Sequence, residues 1–208
     1  MKLEGDFTFD GPREKVWEAL LDPEVIAKAM PGCDKLEKTG ENEYRGALAI
    51  RIGPVQGKFQ GTVKLSDLKS PESYKMVIDG RGPSGFMKGE GQLRLEAPAE
   101  NQTRLHYSVE AQVGGRIASV GQRLLDTTSK SIARQSLESL NRQVQAHAQA
   151  GESDEPPPEV EAPSTARVAA EVAKDVVSDV ADKNRGAIIG GGVAAVAVLL
   201  LIIWYFWG

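Results

Sequence analysis

The chain has 208 residues, 41% of them hydrophobic and 26% charged, with a net charge of −4; that is enough for one packed domain and a smaller appendage. The charge is uneven: residues 1–150 carry 21 Lys+Arg against 20 Asp+Glu, and residues 151–208 carry 4 against 9. A near-neutral body with an acidic tail excludes a nucleic-acid binder, which needs a basic surface, and the single cysteine, Cys33, excludes an intrachain disulfide or a Cys-based metal cluster.

In the first ten residues Leu3, Gly5, Phe7 and Phe9 share one face, and Lys2, Glu4, Asp6 and Thr8 the other. A period of two predicts a half-buried strand. The stretch has no apolar run, so no signal peptide is expected. Pro12 suits a helix N-terminus, and Val16, Trp17, Leu20 and Leu21 follow at helical spacing. Asp22-Pro23 opens a second short helix with Val25, Ile26 and Met30 apolar, and Pro31-Gly32 ends it.

Six strands are then predicted, separated by turn residues. Asp34–Thr39 is short. Tyr44, Gly46, Leu48, Ile50 and Ile52 alternate inward, and after Gly53-Pro54 so do Val55, Phe59, Val63 and Leu65. Tyr74, Met76 and Ile78 form the next row. Gly80–Gly85 reads as a glycine-rich turn; it lacks the Gly-Lys-Ser/Thr of a phosphate loop and opens a strand. That strand is Phe86–Leu95, ended by a turn over 98–102. Leu105, Tyr107, Val109, Ala111 and Val113 make the last row. A long helix is expected from about Gly115 to Ala148, with Ile117, Val120, Leu124, Ile132, Leu140 and Val144 along or near one face.

Residues 149–186 begin with an acidic, proline-rich stretch that cannot form a core and reads as a disordered linker. Val168, Val172, Val176 and Val180 add a marginal juxtamembrane helix. Residues 187–207 carry no charge, and as a helix they would span about 31 Å, the thickness of a bilayer core. Trp204, Tyr205 and Trp207 crowd one end, and Lys183 and Arg185 precede it. A single-pass C-terminal tail anchor in the cytoplasmic membrane is expected, with the domain in the cytoplasm.

The order of elements predicts an α+β domain over residues 1–148: a curved antiparallel sheet around a long C-terminal helix, the helix-grip arrangement. Such a sheet leaves an apolar cavity under its helix, a natural small-molecule site. From the helices and the first strands, the expected lining is Trp17, Met30, Leu48, Ile50, Phe59 and Met76. Later elements add Phe86, Met87, Leu93, Tyr107 and Val109, and the long helix adds Ile117, Leu124 and Leu125.

No Ser–His–acid triad, paired-acid site or HExxH motif can be assembled. His106 reads as a surface histidine on a polar strand face, His147 as solvated, and Cys33 as a small turn residue. Inward tyrosines Tyr44, Tyr74 and Tyr107 leave a cyclase- or hydrolase-type enzyme as an outside reading.

The run Val113-Gly114-Gly115-Arg116-Ile117-Ala118-Ser119-Val120-Gly121-Gln122-Arg123-Leu124-Leu125-Asp126 resembles the CoxG family, which is named for carbon monoxide dehydrogenase. Pro31-Gly32-Cys33, Ile52-Gly53-Pro54-Val55 with Gly57 and Gly61, and the Gly80–Gly89 stretch are similar to it too. The resemblance covers about residues 1–147. It implies a START-like, Bet v 1-like domain and a non-catalytic accessory protein of a molybdenum hydroxylase such as aerobic CO dehydrogenase. Together with the expected cavity and anchor, it implies a carrier. A respiratory quinone, menaquinone or ubiquinone, would be held without a covalent bond and brought from membrane to dehydrogenase. Its headgroup is expected between the two short helices and the Gly80–Gly85 turn. The alternative is an adaptor that only recruits the dehydrogenase to the membrane.

Overall fold

A computed structural model describes residues 1–150, and side chains to residue 146. The expected anchor over 187–207 and the linker lie outside the described residues. Strand β1 (Lys2–Phe9) leads into helices α1 (Arg13–Leu21) and α2 (Pro23–Ala29). Strands β2 (Cys33–Gly40), β3 (Glu43–Ile52), β4 (Val55–Lys69), β5 (Ser73–Gly82), β6 (Gly85–Ala99) and β7 (Gln102–Gly114) follow. A 3-10 turn over Arg116–Val120 then precedes helix α3 (Gln122–Ala150).

Local chemistry accounts for the helix ends. Pro12, which has no N–H to satisfy, caps α1, and the Asp22 carboxylate accepts from the backbone N–H groups of Glu24 (2.8 Å) and Val25 (3.3 Å). The long final helix starts later than its apolar spacing predicts. Gly121 sits at φ 91°, in the left-handed region, and separates the 3-10 turn from α3. The predicted Gly80–Gly85 turn is also shorter. Gly80, Arg81 and Gly82 belong to β5, and Pro83-Ser84 alone make the turn.

All seven strands form one antiparallel sheet in the order β1-β7-β6-β5-β4-β3-β2. From β2 to β7 each strand pairs with the next in sequence. The exception is β1, which pairs with the last strand, from Lys2↔Glu110 to Phe9↔Thr103. Alternation holds across the sheet: the inner face carries the apolar rows and the outer face the charges. Helix α3 covers the inner face. Its C-terminal half is tied to the rest by polar contacts. Asn141 Nδ2 and Gln145 Nε2 each donate to the Asp10 carboxylate (2.9 Å), and Gln143 Nε2 donates to the Val25 carbonyl (3.2 Å).

Candidate functional site: the interior between helix and sheet

The apolar interior falls into two clusters with no common member. The first gathers Phe9, Val16, Trp17, Tyr74, Leu93, Leu105, Leu140 and Val144, under α1, α2 and the C-terminal half of α3. The second gathers Ile52, Phe59, Ile117 and Leu125, at the start of α3. Gly85 and Leu93 mark the two ends along β6, eight residues or about 26 Å apart. Between them the middle of the sheet presents Leu48, Val63, Ile78, Met87 and Val109. These inner-row side chains are only half-buried and belong to neither cluster.

Most of the predicted lining residues therefore point inward, in three groups. Trp17, Met76, Leu93 and Tyr107 build or pack on the first cluster. Ile50, Phe59, Ile117, Leu124 and Leu125 build or pack on the second. Leu48, Met87 and Val109 lie between, and Met30, half-buried, ends α2. Phe86 is a correction. It is 41% exposed on the outer face, beside Arg81 and against Gly114. Neighbours in a strand point to opposite faces, so Phe86 and Met87 cannot both line one interior. The expected headgroup position is corrected as well. The short helices pack on the first cluster and the Pro83-Ser84 turn on the second, so they do not flank one opening.

The buried face of α3 holds what the apolar pattern missed. Thr128, Ser131, Gln135, Ser139 and Gln143 are all buried and follow at spacings of three and four, the period of one helix face. Gln135 Nε2 donates to Ser131 Oγ at 3.3 Å. Ser139 is 0% exposed, and its Oγ has no hydrogen-bond partner. A run of small polar residues at this spacing was the available sequence signal. It is easily read as the wet side of a helix.

A buried hydroxyl without a partner is a net cost. Ser139→Ala should therefore stabilise the protein by about 1 kcal/mol, read as a higher melting temperature. A lower one would show that the hydroxyl is satisfied.

The three inward tyrosines are held in the protonated form. Burial pushes the phenols of Tyr44, Tyr74 and Tyr107 upward, with a smaller push from Asp22 on Tyr44 and Asp6 on Tyr107. Tyr44 donates to the Leu21 carbonyl at 3.0 Å, and Tyr74 stacks edge-on with Trp17 at 5.6 Å between ring centroids. They can donate hydrogen bonds but are poor bases at neutral pH. Burial also raises the Cys33 thiol, which makes it a poor nucleophile. His106 sits on the outer face between the carboxylates of Asp6 and Glu96. Among the described residues no three His, Cys, Asp or Glu side chains converge as metal ligands would.

The outer face has its own concavity, an open groove of about 1190 Å³ across β1, β7, β6, β5 and the end of β4. Its rim alternates in sign, with Asp6, Asp67 and Glu96 beside Lys75, Arg94 and His106. Several of these pair with one another, as in Lys75–Asp67 at 2.8 Å and Arg94–Glu96 at 3.2 Å.

Comparison with known proteins agrees with this architecture. The chain is similar to a conserved protein from Geobacillus kaustophilus, with 32% identity over 72% of this chain and 97% of that one, at a TM-score of 0.67. It shares its fold with the ZhuI aromatase/cyclase from Streptomyces sp. R1128, with 16% identity over 73% and 97% of the two chains, at a TM-score of 0.57. A protein from Chromobacterium violaceum also matches, with 20% identity over 69% and 97%, at a TM-score of 0.51. None of the curated proteins matches the chain in sequence. The family model for the carbon monoxide dehydrogenase protein CoxG matches residues 5–145. A helix-grip domain with a divided apolar interior, matched along nearly its whole length, thus belongs to the CoxG family.

Proposed function

We propose that this protein is a membrane-anchored accessory protein of aerobic CO dehydrogenase, or of a related molybdenum hydroxylase. On this reading it binds a respiratory quinone, such as menaquinone, between α3 and the sheet. It carries the quinone between bilayer and dehydrogenase and is not itself an enzyme. The observation that carries this reading is the gap between the two apolar clusters, where Leu48, Met87 and Val109 stay half-buried under the helix. An isoprenoid chain laid there would gain about 0.8 kcal/mol for each CH₂ equivalent buried, which offsets leaving the lipid. The uncharged run over 187–207 supports the membrane part of the reading, and family membership supports the dehydrogenase part.

Val109→Trp would fill that gap. Full-length wild type, purified from a quinone-containing host, should retain stoichiometric quinone and support its reduction by the dehydrogenase. The variant should lose both while still binding the dehydrogenase. Equal quinone in the two preparations would sink the carrier reading. The adaptor reading is favoured by a different feature, the charged outer groove, which suits a protein partner better than a lipid. If quinone is absent from both proteins and dehydrogenase recruitment persists, the adaptor remains.

A further inference from the structure

Three connections meet at the end of the domain that holds the second cluster. They are the β3–β4 turn at Gly53-Pro54, the β5–β6 turn at Pro83-Ser84, and the passage through Gly115 into α3. The Ile117 N–H donates to the Ser84 carbonyl at 2.8 Å, and Ser84 Oγ donates to the Gln56 carbonyl at 3.1 Å, so the three move as one body. Six cations surround them: Arg51, Lys58, Arg81, Lys88, Arg116 and Arg123. The carboxylates nearby are Asp34, bonded to Lys58, Asp79, shared by Arg81 and Lys88, and Asp126. Six minus three leaves +3 at this end, against +1 for all of residues 1–150. Residues 10–28, at the other end, carry five acids and three bases, or −2. The domain is therefore polarised along its length.

Among these cations lies Phe86, one of two large apolar side chains that the described residues leave exposed; the other is Val77. Phe86 is followed in the same strand by Lys88 and faces Arg81 across the ladder. Pro54 and Pro83 are at the two turn tips. An exposed aromatic ring within a cationic rim matches a lipid interface. There the ring enters the headgroup layer and long basic side chains reach the phosphates.

We propose that this end of the domain docks on an anionic bilayer surface, with Phe86 inserted and Arg51, Arg81, Lys88 and Arg116 on lipid phosphates. From the preceding reading the inference takes only that the chain works beside a membrane; it does not depend on quinone. Helix α3 leads from this end to residue 150, about 43 Å away. The 36 residues between 150 and 187 have a contour length of about 120 Å, so a tether there permits the contact. A convex tip of short turns suits a planar surface, whereas the concave groove elsewhere suits a protein.

The test is hydrogen exchange on the full chain with lipid nanodiscs of phosphatidylcholine alone or with added phosphatidylglycerol. Peptides covering 51–58, 81–88 and 114–123 should exchange several-fold more slowly only with the anionic discs. Each cation at the surface contributes a factor of about five, so Arg51→Glu/Arg81→Glu/Arg116→Glu should abolish the effect. Salt at about 1 M should do the same, and Phe86→Ser should weaken it. Unchanged protection in α1 and α2 would show that these variants are folded. Equal exchange with both discs, or full protection in the charge-reversed protein, would overturn the proposal. So would protection that appears only when dehydrogenase is added, which would assign the tip to a protein partner. A chain that fails to stay with phosphatidylcholine discs would overturn the tail anchor instead, leaving the anionic-disc result to decide the tip.

Discussion

Gly85→Ala should abolish the native fold at the cationic tip and cost about 4–5 kcal/mol, at the upper limit of single substitutions. Gly85 has φ 138°, and an added Cβ would lie 2.0 Å from the Gly114 carbonyl oxygen. That oxygen is backbone, fixed in the β6–β7 ladder, and no rotamer change relieves the overlap. The strands would have to part where Ile117 bonds to Ser84, and the second cluster would lose Ile117. Gly80→Ala is the control, since its Cβ would meet nothing nearer than the Met87 carbonyl oxygen at 3.8 Å. Its expected loss is below about 1 kcal/mol. Thermal melting by circular dichroism separates the two. A Gly85→Ala protein that melts with wild type would show that the crossing has slack.

Phe9→Ala should be the most damaging truncation in the first cluster. Phe9 is 0% exposed and the largest of the completely enclosed side chains. It packs edge-on against Phe7 with ring centroids 4.9 Å apart. Phe-to-Ala changes in cores cost about 3–5 kcal/mol, and a domain of this size loses about 2–4 °C per kcal/mol. The midpoint should fall by about 10–15 °C. The cost is high because neither neighbour can close the hole. The Thr103 side chain is already committed to the Gly11 carbonyl at 2.8 Å, and Leu105 is itself enclosed. A fall of only a few degrees would mean that α1 collapses into the space.

The sheet was legible because alternation is a local signal. β1 and β7 show it without a break, and their facing rows follow directly. What escaped had non-local causes. Phe86 is apolar, so it reads as interior, but strand parity puts it outside with Arg81 and Lys88. The start of α3 was misplaced because Ile117 and Val120 fit a helical spacing that Gly121 interrupts. The Gly80–Gly85 segment reads as loop by composition, yet its glycines allow close strand pairing. The site itself was half visible. Inner apolar residues could be named from the rows, but their division into two clusters depends on where α3 crosses the sheet. The stripe through Ser131, Gln135 and Ser139 inverts the usual rule for helix faces, and no apolar template detects it.

The pairing of β1 with β7 also sets an order of events during synthesis. Strands β3 to β7 can each zip onto the strand just made, but Lys2 must wait for Glu110. At about 5–20 residues per second, the first strand emerges at least 5 s before its partner exists. Through that interval Phe7 and Phe9 have no sheet to join. Closing so long a loop is also the slowest step that this topology requires. The nascent chain is therefore most vulnerable at its beginning, and a holdase that shields the first ten residues would act where the fold is last to close.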